Sequence, residues 1–172
     1  MSNFNISEPY REEAFNFKLE LLKIELDSIQ KVIEKLDGFT VLTRYWAILV
    51  WGGSIALILG SSYKELRAFL SLTAILPLCF WAIDAWWRHI QRTCIFRSNK
   101  ISDFVNGKNF LKSFEKKEFI DFELLDIRAK KWKKSEEYKK YSSFWKTVKF
   151  PEVLFFYGGL SLISLIFGIL LN

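Results

Sequence analysis

The chain has little of what metal sites, disulfide frameworks and most catalytic centres require. Its 172 residues include two cysteines and one histidine. Cys79 and Cys94 are too few and too far apart for a disulfide framework or a metal site, so we expect reduced thiols. His89 stands alone among basic and apolar neighbours, where an imidazole is far more often a bystander than a ligand. The composition therefore predicts no metal site.

Motifs of catalysis and secretion are also missing. The chain contains no glycine-rich phosphate loop, no pair of histidines, no paired cysteine motif and no Gly-x-Ser-x-Gly elbow. Its first residues lack the apolar core of about 7–15 residues behind a basic tip that marks a cleavable signal peptide. The carboxylates between residues 115 and 126 have the spacing of a solvated helix surface. We predict that the protein is not an enzyme and uses no cofactor.

Long uncharged runs are what the chain has in excess. Residues 45–60 and 153–171 carry no charge, and residues 68–87 carry only Asp84. At about 1.5 Å per residue each run approaches the roughly 20 residues that cross hydrocarbon. Apart from Asp84 and the short connection between the first two runs, charged residues are confined to residues 1–44 and 88–152. This pattern predicts an all-α membrane protein with three transmembrane helices. The alternative, a soluble helical domain, would have to bury three such runs in a small globule.

The runs divide the chain into four parts. Residues 1–42 are predicted to be an N-terminal cytoplasmic part, whose amphipathic helix runs from Arg11 to Leu36 and stops at Asp37-Gly38. Residues 43–90 are predicted to form a two-span hairpin. Residues 91–150 are predicted to be a cytoplasmic helical region, basic at its end, with a helix over about 109–141 that joins a helical bundle. Residues 151–172 are the third span. Basic residues flank the second and third runs, which predicts a cytoplasmic N-terminus and an external C-terminus.

The N-terminal helix carries a heptad seam, with apolar residues at alternating spacings of four and three. Its members are Phe15, Leu19, Leu22, Leu26, Ile29, Ile33 and Leu36. The seam has two compatible interpretations. It packs on the protein's own cytoplasmic helices, or it pairs with copies of itself and sets an oligomer.

Small residues form stripes in two of the spans. Gly52, Ala56 and Gly60 repeat at intervals of four in the first run, and Ser161, Ser164 and Gly168 lie in a similar stripe in the third. Small residues allow close helix approach in lipid, where no hydrophobic force drives helices together. The stripes predict helix packing, either within one chain or between subunits.

The second run contains a charge and a proline. Asp84 lies near the inner headgroup boundary, four residues before Arg88, so an intramembrane ion pair is predicted. We favour a structural pair over a role in conduction or gating. Pro77 removes one backbone donor and is expected to kink the helix, which makes it a candidate hinge, although most such prolines are structural.

The region before the third run is basic and aromatic. Residues 128–149 hold nine lysines and arginines against two glutamates, with aromatic residues between them. Anionic lipid headgroups attract such a juxtamembrane segment. The alternatives are a phosphate-bearing ligand and a merely solvated face, and nucleic acid is not expected. The residues proposed for the anion are Arg128, Lys130, Lys131, Lys133, Lys134, Lys139 and Lys140.

The layout resembles a family. The stretches FTVLTRYWAILVWGGSIAL and LPLCFWAIDAWWRHIQRTCIFR, behind an amphipathic helix and before a long helix, are similar to SLATT-like small membrane effectors of bacterial conflict and anti-phage systems. The resemblance covers residues 15–106, and the third run departs from the two-span form. It implies an oligomeric effector that forms a pore or perturbs the inner membrane when a cytoplasmic sensor protein signals infection. A non-conducting anchor that recruits a cytoplasmic partner and a nucleotide-gated channel are the alternatives.

Overall fold

The computed structural model describes residues 8–171, apart from the side chains of Glu8 and Lys64. Residues 1–7 of the predicted N-terminal part, and Asn172 of the predicted third span, lie outside the described residues. The α-helices are α1 (Glu8–Gly60), α2 (Ile75–Val105), α3 (Lys108–Lys116), α4 (Glu136–Tyr141), α5 (Phe144–Val148) and α6 (Pro151–Leu170). Short 3₁₀ segments cover Lys64–Phe69, Ser71–Ala74 and Lys130–Trp132. Within the described range there is no β-strand, which confirms the all-α class.

Three helical segments are long and apolar enough to cross a membrane, as the sequence predicts. They lie in α1, in α2 with the 3₁₀ segments before it, and in α6. The chain itself buries only 17%, 22% and 28% of the residues in their most apolar windows. Leu57, Phe155 and Ile169 are each 78% exposed. An apolar surface of this extent suits hydrocarbon better than water.

The predicted helix end at Asp37-Gly38 is wrong, because α1 continues through both residues to Gly60. A glycine inside a helix costs only about 1 kcal/mol relative to alanine, and helix-compatible sequence on both sides outweighs that cost. The threonines that follow are also accommodated within the helix. The hydroxyl groups of Thr40 and Thr43 donate to the carbonyl oxygens four residues earlier, both at 2.7 Å.

The predicted helix over residues 109–141 is also wrong, because α3 ends at Lys116 and an irregular segment, residues 117–129, follows. Every fourth residue there has a positive φ angle, which breaks a right-handed helix. These residues are Lys117 (52°), Asp121 (56°), Leu125 (61°) and Ala129 (47°). The left-handed positions turn the chain repeatedly, so the apolar side chains between them are available for tertiary packing.

The connection between the first two spans is largely helical. Residues 61–63 are irregular, and two 3₁₀ segments, separated by Leu70, lead into α2 at Ile75. Pro77 therefore lies in the first turn of α2, where a missing N–H sacrifices no helical hydrogen bond. The reason to expect a kink inside a long helix does not apply at that position, and a hinge at Pro77 stays a prediction.

The chain divides into two compact units. The charged unit consists of residues 8–34 and Arg92–Tyr141. In its core Leu22, Ile29, Cys94 and Ile101 are buried, and apolar side chains of the irregular segment pack against them. Aromatic rings extend this core. Phe15 meets Phe114 edge-on with ring centroids 5.1 Å apart.

The apolar unit consists of residues Lys35–Gln91 and 142–171. Its buried cluster contains Ala47, Val153 and Tyr157. The helix α6 packs against the 3₁₀ segment Ser71–Ala74, and small residues make the contact close. A Cβ atom added at Gly168 would overlap the Ser71 hydroxyl and would lie 3.0 Å from the Ser71 backbone nitrogen.

The close approach at Gly168 leads to a stability prediction. The variant Gly168→Ala must push α6 away from Ser71, and overpacking of this kind costs about 1–3 kcal/mol. Gly159→Ala is the matched control, because a Cβ atom at that position of α6 meets no atom within 4 Å. Thermal unfolding of the full chain in detergent should show a lower Tm for Gly168→Ala than for Gly159→Ala, which gains the roughly 1 kcal/mol of helix propensity that alanine has over glycine and meets no overlap. Equal Tm values for the two variants would contradict this packing.

Candidate functional site in the apolar unit

Asp84 is the charged residue that the apolar unit buries completely. Its carboxylate lies between two guanidinium groups. Arg88 Nε, one turn later on α2, lies 3.4 Å from Asp84 Oδ1, and Arg44 Nε, on α1, lies 3.5 Å from Oδ2. Both distances are long for charge-assisted hydrogen bonds. Arg44 and Arg88 remain partly exposed, with 30% and 19% of their side-chain surfaces accessible.

The surroundings of Asp84 contain buried polar atoms that have no hydrogen-bond partner. Tyr157, on α6, is fully buried, and its hydroxyl group interacts electrostatically with Asp84 and both arginines without completing hydrogen-bond geometry to any described residue. Arg44 Nη2 is likewise buried without a partner in the described chain, although the Arg44 guanidinium lies 5.7 Å from the Phe156 ring centroid. Buried polar groups normally have partners, so these unsatisfied groups mark the surroundings of Asp84 as a candidate site.

The sequence led to Asp84 and Arg88 but missed Arg44, Tyr157 and Glu152. Glu152 is exposed, and its carboxylate lies 3.8 Å from Arg88 Nη2. A signal was present, because Arg44 immediately precedes the first uncharged run and Glu152 the third. Charges at those ends meet Asp84 and Arg88 when the three helices pack. Arg44 thus connects α1 to Asp84 on α2, whereas the exposed Glu152 adds only a weak attraction between α6 and Arg88.

The arrangement is a cluster of one buried carboxylate and two guanidinium groups. Attraction between a carboxylate and guanidinium groups strengthens where the dielectric constant is low. No group of three or more histidine, cysteine, aspartate or glutamate residues in the described part of the chain is positioned to hold a metal ion. The cluster can hold helices together, and it can exchange ion-pair partners when they move.

A second polar network joins α1, the 3₁₀ segment Ser71–Ala74 and α6 at the Ser164 hydroxyl. Trp51 Nε1 donates to the Ser164 hydroxyl at 2.7 Å, and Thr73 Oγ1 lies 3.0 Å from the same oxygen. The Ser161 hydroxyl donates to the Ala74 carbonyl at 3.0 Å. The stripe of Ser161, Ser164 and Gly168 therefore packs within the chain.

The stripe in the first span has different surroundings. Cβ atoms added at Gly52 and Gly60 would meet no atom within 4 Å, and Ala56 is exposed. The single chain leaves this stripe uncovered, so its predicted role in subunit packing remains a prediction.

The heptad seam is used within one chain. Phe15, Leu22, Ile29 and Leu36, which are seven residues apart, are at most 6% exposed, and the first three belong to the charged unit. Leu19, Leu26 and Ile33 are half-buried. Leu26 and Ile33 pack against the core of that unit. Pairing of the seam with another copy would require these contacts to open.

The basic residues proposed to bind an anion all lie in the charged unit and are exposed. Two of them have acidic neighbours, because Lys139 pairs with Glu136 at 2.8 Å and Lys131 lies 3.7 Å from Glu123. The exposed residues are Arg128, Lys130, Lys131, Lys133, Lys134, Lys139 and Lys140. They form an accessible basic surface, and its ligand remains a prediction.

Sequence reasoning also missed a buried ion pair in the charged unit. Arg97 Nε donates to Glu25 Oε1 at 2.8 Å, and both residues are 1% exposed. Arg97 Nη2 donates to the Glu123 carbonyl at 2.5 Å, and the Leu125 N–H donates to Glu25 Oε2 at 2.7 Å. The Arg97 guanidinium also lies 4.7 Å from the Phe122 ring centroid. The network attaches the irregular segment to α1 and α2. Its signal was Glu25 itself, a carboxylate three residues after the seam residue Leu22.

Cys94, one turn before Arg97, is buried in the same core. Removal from water raises the pKa of the Cys94 thiol, although nearby Arg128 opposes the shift. A raised pKa leaves less thiolate at neutral pH, so Cys94 has the character of a structural rather than a reactive cysteine.

Comparison with known protein families, curated proteins and solved structures finds no match to this chain. The fold and the site therefore define only a class of protein. Its members are all-α proteins with three helices able to span a membrane and a buried carboxylate between two arginines. The resemblance to SLATT-like effectors remains a prediction from sequence.

The cluster predicts that Asp84 is needed for stability. Asp84→Ala leaves the partly exposed Arg44 and Arg88 without their shared carboxylate, and leaving such donors unpaired costs about 1–3 kcal/mol. Glu152→Ala is the control, because the Glu152 side chain is 76% exposed and contacts Arg88 only at 3.8 Å. Thermal unfolding in detergent should show a large fall in Tm for Asp84→Ala alone. A Tm equal to that of the wild type would contradict the cluster.

The Glu25–Arg97 network predicts non-additive mutations. Arg97→Ala leaves Glu25 buried with a single backbone donor, which should cost about 3–5 kcal/mol. The double variant Glu25→Leu/Arg97→Met removes both charges and should lose much less than the two single variants together. Lys31→Ala, which breaks an exposed pair with Asp27, should change stability by less than about 1 kcal/mol. Denaturant unfolding followed by tryptophan fluorescence measures Arg97→Ala, Lys31→Ala, the double variant and its two single components, Glu25→Leu and Arg97→Met. Additive losses in the double variant would contradict the account.

Proposed function

We propose that the protein is an oligomeric inner-membrane effector of bacterial defence that forms a pore or disrupts the membrane. The observation that carries this proposal is the buried Asp84 cluster in a unit whose outer surface is apolar. Ionisable residues within membrane helices are costly, and they usually serve transport, gating or assembly. Arg44 Nη2 and the Tyr157 hydroxyl lie beside Asp84 as unsatisfied donors. Asp84 can take either of them as a new partner when the helices move.

The apolar unit provides a route to assembly. The stripe of Gly52, Ala56 and Gly60 has open space beside both glycines, which another helix can approach closely. When spans of neighbouring subunits pack there, the cluster at Asp84 can change partners and face a water-filled passage. The ion pairs of 3.4 and 3.5 Å are loose enough to exchange.

The charged unit has the cytoplasmic role in this proposal. Lysine and arginine near spans are retained on the cytoplasmic side, so the N-terminus lies inside and the C-terminus outside. The exposed basic surface of the charged unit then contacts anionic headgroups of the inner leaflet. A cytoplasmic sensor protein would act on this unit, in line with the resemblance to SLATT-like effectors.

A second candidate function is a non-conducting membrane anchor that recruits a cytoplasmic partner. The observation that favours it is that the charged unit has its own core and presents exposed lysines, including Lys130, Lys131, Lys133 and Lys134. An anchor needs such a surface but no rearrangement at Asp84. The two functions therefore differ in their dependence on that residue.

Dye release from vesicles tests the effector function. The full chain is reconstituted into phosphatidylethanolamine and phosphatidylglycerol vesicles that hold a small dye and a large dextran. A pore releases the dye and retains the dextran, whereas disruption releases both. We expect Asp84→Asn to slow release at least about tenfold, because it removes the charge and keeps the volume, while Glu152→Gln releases dye as the wild type does.

Retention of the small dye at every ratio of protein to lipid would contradict the effector function. The anchor function would then be preferred, and the test would move to capture of a partner. A co-purifying soluble protein that is lost when Lys130, Lys131, Lys133 and Lys134 are changed to glutamate would support the anchor.

A further inference from the structure

A second apolar stripe runs along α1, separate from the seam that the chain buries. Tyr10, Phe17 and Ile24 follow one another at intervals of seven and are 67%, 60% and 57% exposed. Ala14 is exposed and Leu21 half-buried, and both lie between them at spacings of four and three. We call these five residues the outer stripe.

The outer stripe and the seam occupy different faces of one helix. Phe15 and Leu22 of the seam follow Tyr10 and Phe17 by five residues, which is about 140° of rotation at 3.6 residues per turn. The charged unit covers the seam and leaves the outer stripe in contact with solvent. The stripe ends after Ile24, where Asp27 and Lys31 form an exposed ion pair on the helix surface.

We propose that the outer stripe binds the outer stripe of a second copy of this chain in a parallel coiled coil. The proposal rests on the proposed oligomeric function and names the surface through which charged units associate. The spacing of four and three residues is the pattern that packs knobs into holes between two helices. It differs from pairing through the seam, which the single chain already uses.

Charges beside the stripe select a second copy in the parallel orientation. With Ala14 and Leu21 at the a positions, and Phe17 and Ile24 at d, Glu13 occupies a g position and Lys18 the following e position. In a parallel pair each Glu13 faces Lys18 of the other copy. An antiparallel pair would bring the g positions of the two helices together, so glutamates would face glutamates. Copies inserted into one membrane with the same topology are parallel as well.

The next g and e positions, Glu20 and Glu25, do not oppose a parallel pair. Glu20 occupies the following g position, and the e position that would face it in a parallel pair is Glu25. The Glu25 carboxylate is 1% exposed and paired with Arg97, so it is directed into the charged unit. The like charge is therefore neutralised within each chain.

The stripe is short, which limits what it does alone. Five residues over about two heptads are fewer than isolated coiled coils require. Anchoring in one bilayer raises the effective concentration of the two helices, so a weak interface suffices. Association should therefore be measured with the full chain in a membrane.

The direct test counts subunits in lipid nanodiscs or vesicles by single-molecule photobleaching. Phe17→Glu/Ile24→Glu places charge on the outer stripe and should weaken association at least about tenfold. Asn16→Glu/Gln30→Glu is the matched control, because it adds the same charge at exposed positions of α1 outside the stripe. The control should associate as the wild type does. Equal helix content by circular dichroism establishes that each variant is folded.

A charge exchange tests the partner and its direction without altering the apolar residues. Glu13→Lys and Lys18→Glu alone should each weaken association, and the two changes in one chain should restore it, because opposite charges then face each other again. Restoration occurs only if a second copy lies parallel on the stripe. Association that is no stronger in the doubly changed chain than in the single variants would overturn the proposal.

The outcomes separate this inference from the proposed function. An oligomer that persists in Phe17→Glu/Ile24→Glu overturns the outer stripe as the interface and leaves the effector function standing. A wild-type chain that is monomeric at every density in the bilayer overturns both. Loss of the oligomer in the stripe variant, with the control unchanged, supports the proposal.

Discussion

The apolar unit depends on one constraint: polar side chains that lie within its spanning helices must find hydrogen-bond partners inside the protein. Hydrocarbon offers no hydrogen bonds, so every polar side chain within a spanning segment must find a partner in the protein. Thr73 and Trp51 meet this demand through the Ser164 hydroxyl. Asp84 meets it through two arginines, and the groups that remain unsatisfied, Arg44 Nη2 and the Tyr157 hydroxyl, lie beside it. Asp84 is therefore where we place the function.

The charged unit depends on a comparable burial. Residues 117–129 lack the hydrogen bonds of a helix, and their backbone is anchored instead by the Glu25–Arg97 pair. The pair accepts an N–H from Leu125 and donates to the carbonyl of Glu123. The buried ion pair thus fixes two backbone positions of that segment, and it leaves the outer stripe of α1 free for other contacts.

The sequence was sufficient for features that depend on composition over a long window. Three uncharged runs predict three helices able to cross a membrane, because few other structures tolerate them. It was insufficient where a local signal competes with tertiary packing. Asp37-Gly38 has the form of a helix end, yet α1 continues because its residues on both sides are compatible with a helix. Leu125 and Ala129 adopt left-handed conformations that neither residue type favours, so their segment was predicted as helix.

The site was predicted in part for a similar reason. Asp84 and Arg88 are four residues apart, and helix periodicity alone brings them together. Arg44 is 40 residues from Asp84 along the chain, so its contact depends on how the spans pack.

Electrical recording across a planar lipid bilayer tests the central claim most directly. If the assembled chain forms a pore around the Asp84 cluster, the purified wild-type protein should give discrete current steps, and Asp84→Asn should change their size or frequency. A current that stays at the baseline, from protein shown to be inserted in the bilayer, would contradict the account.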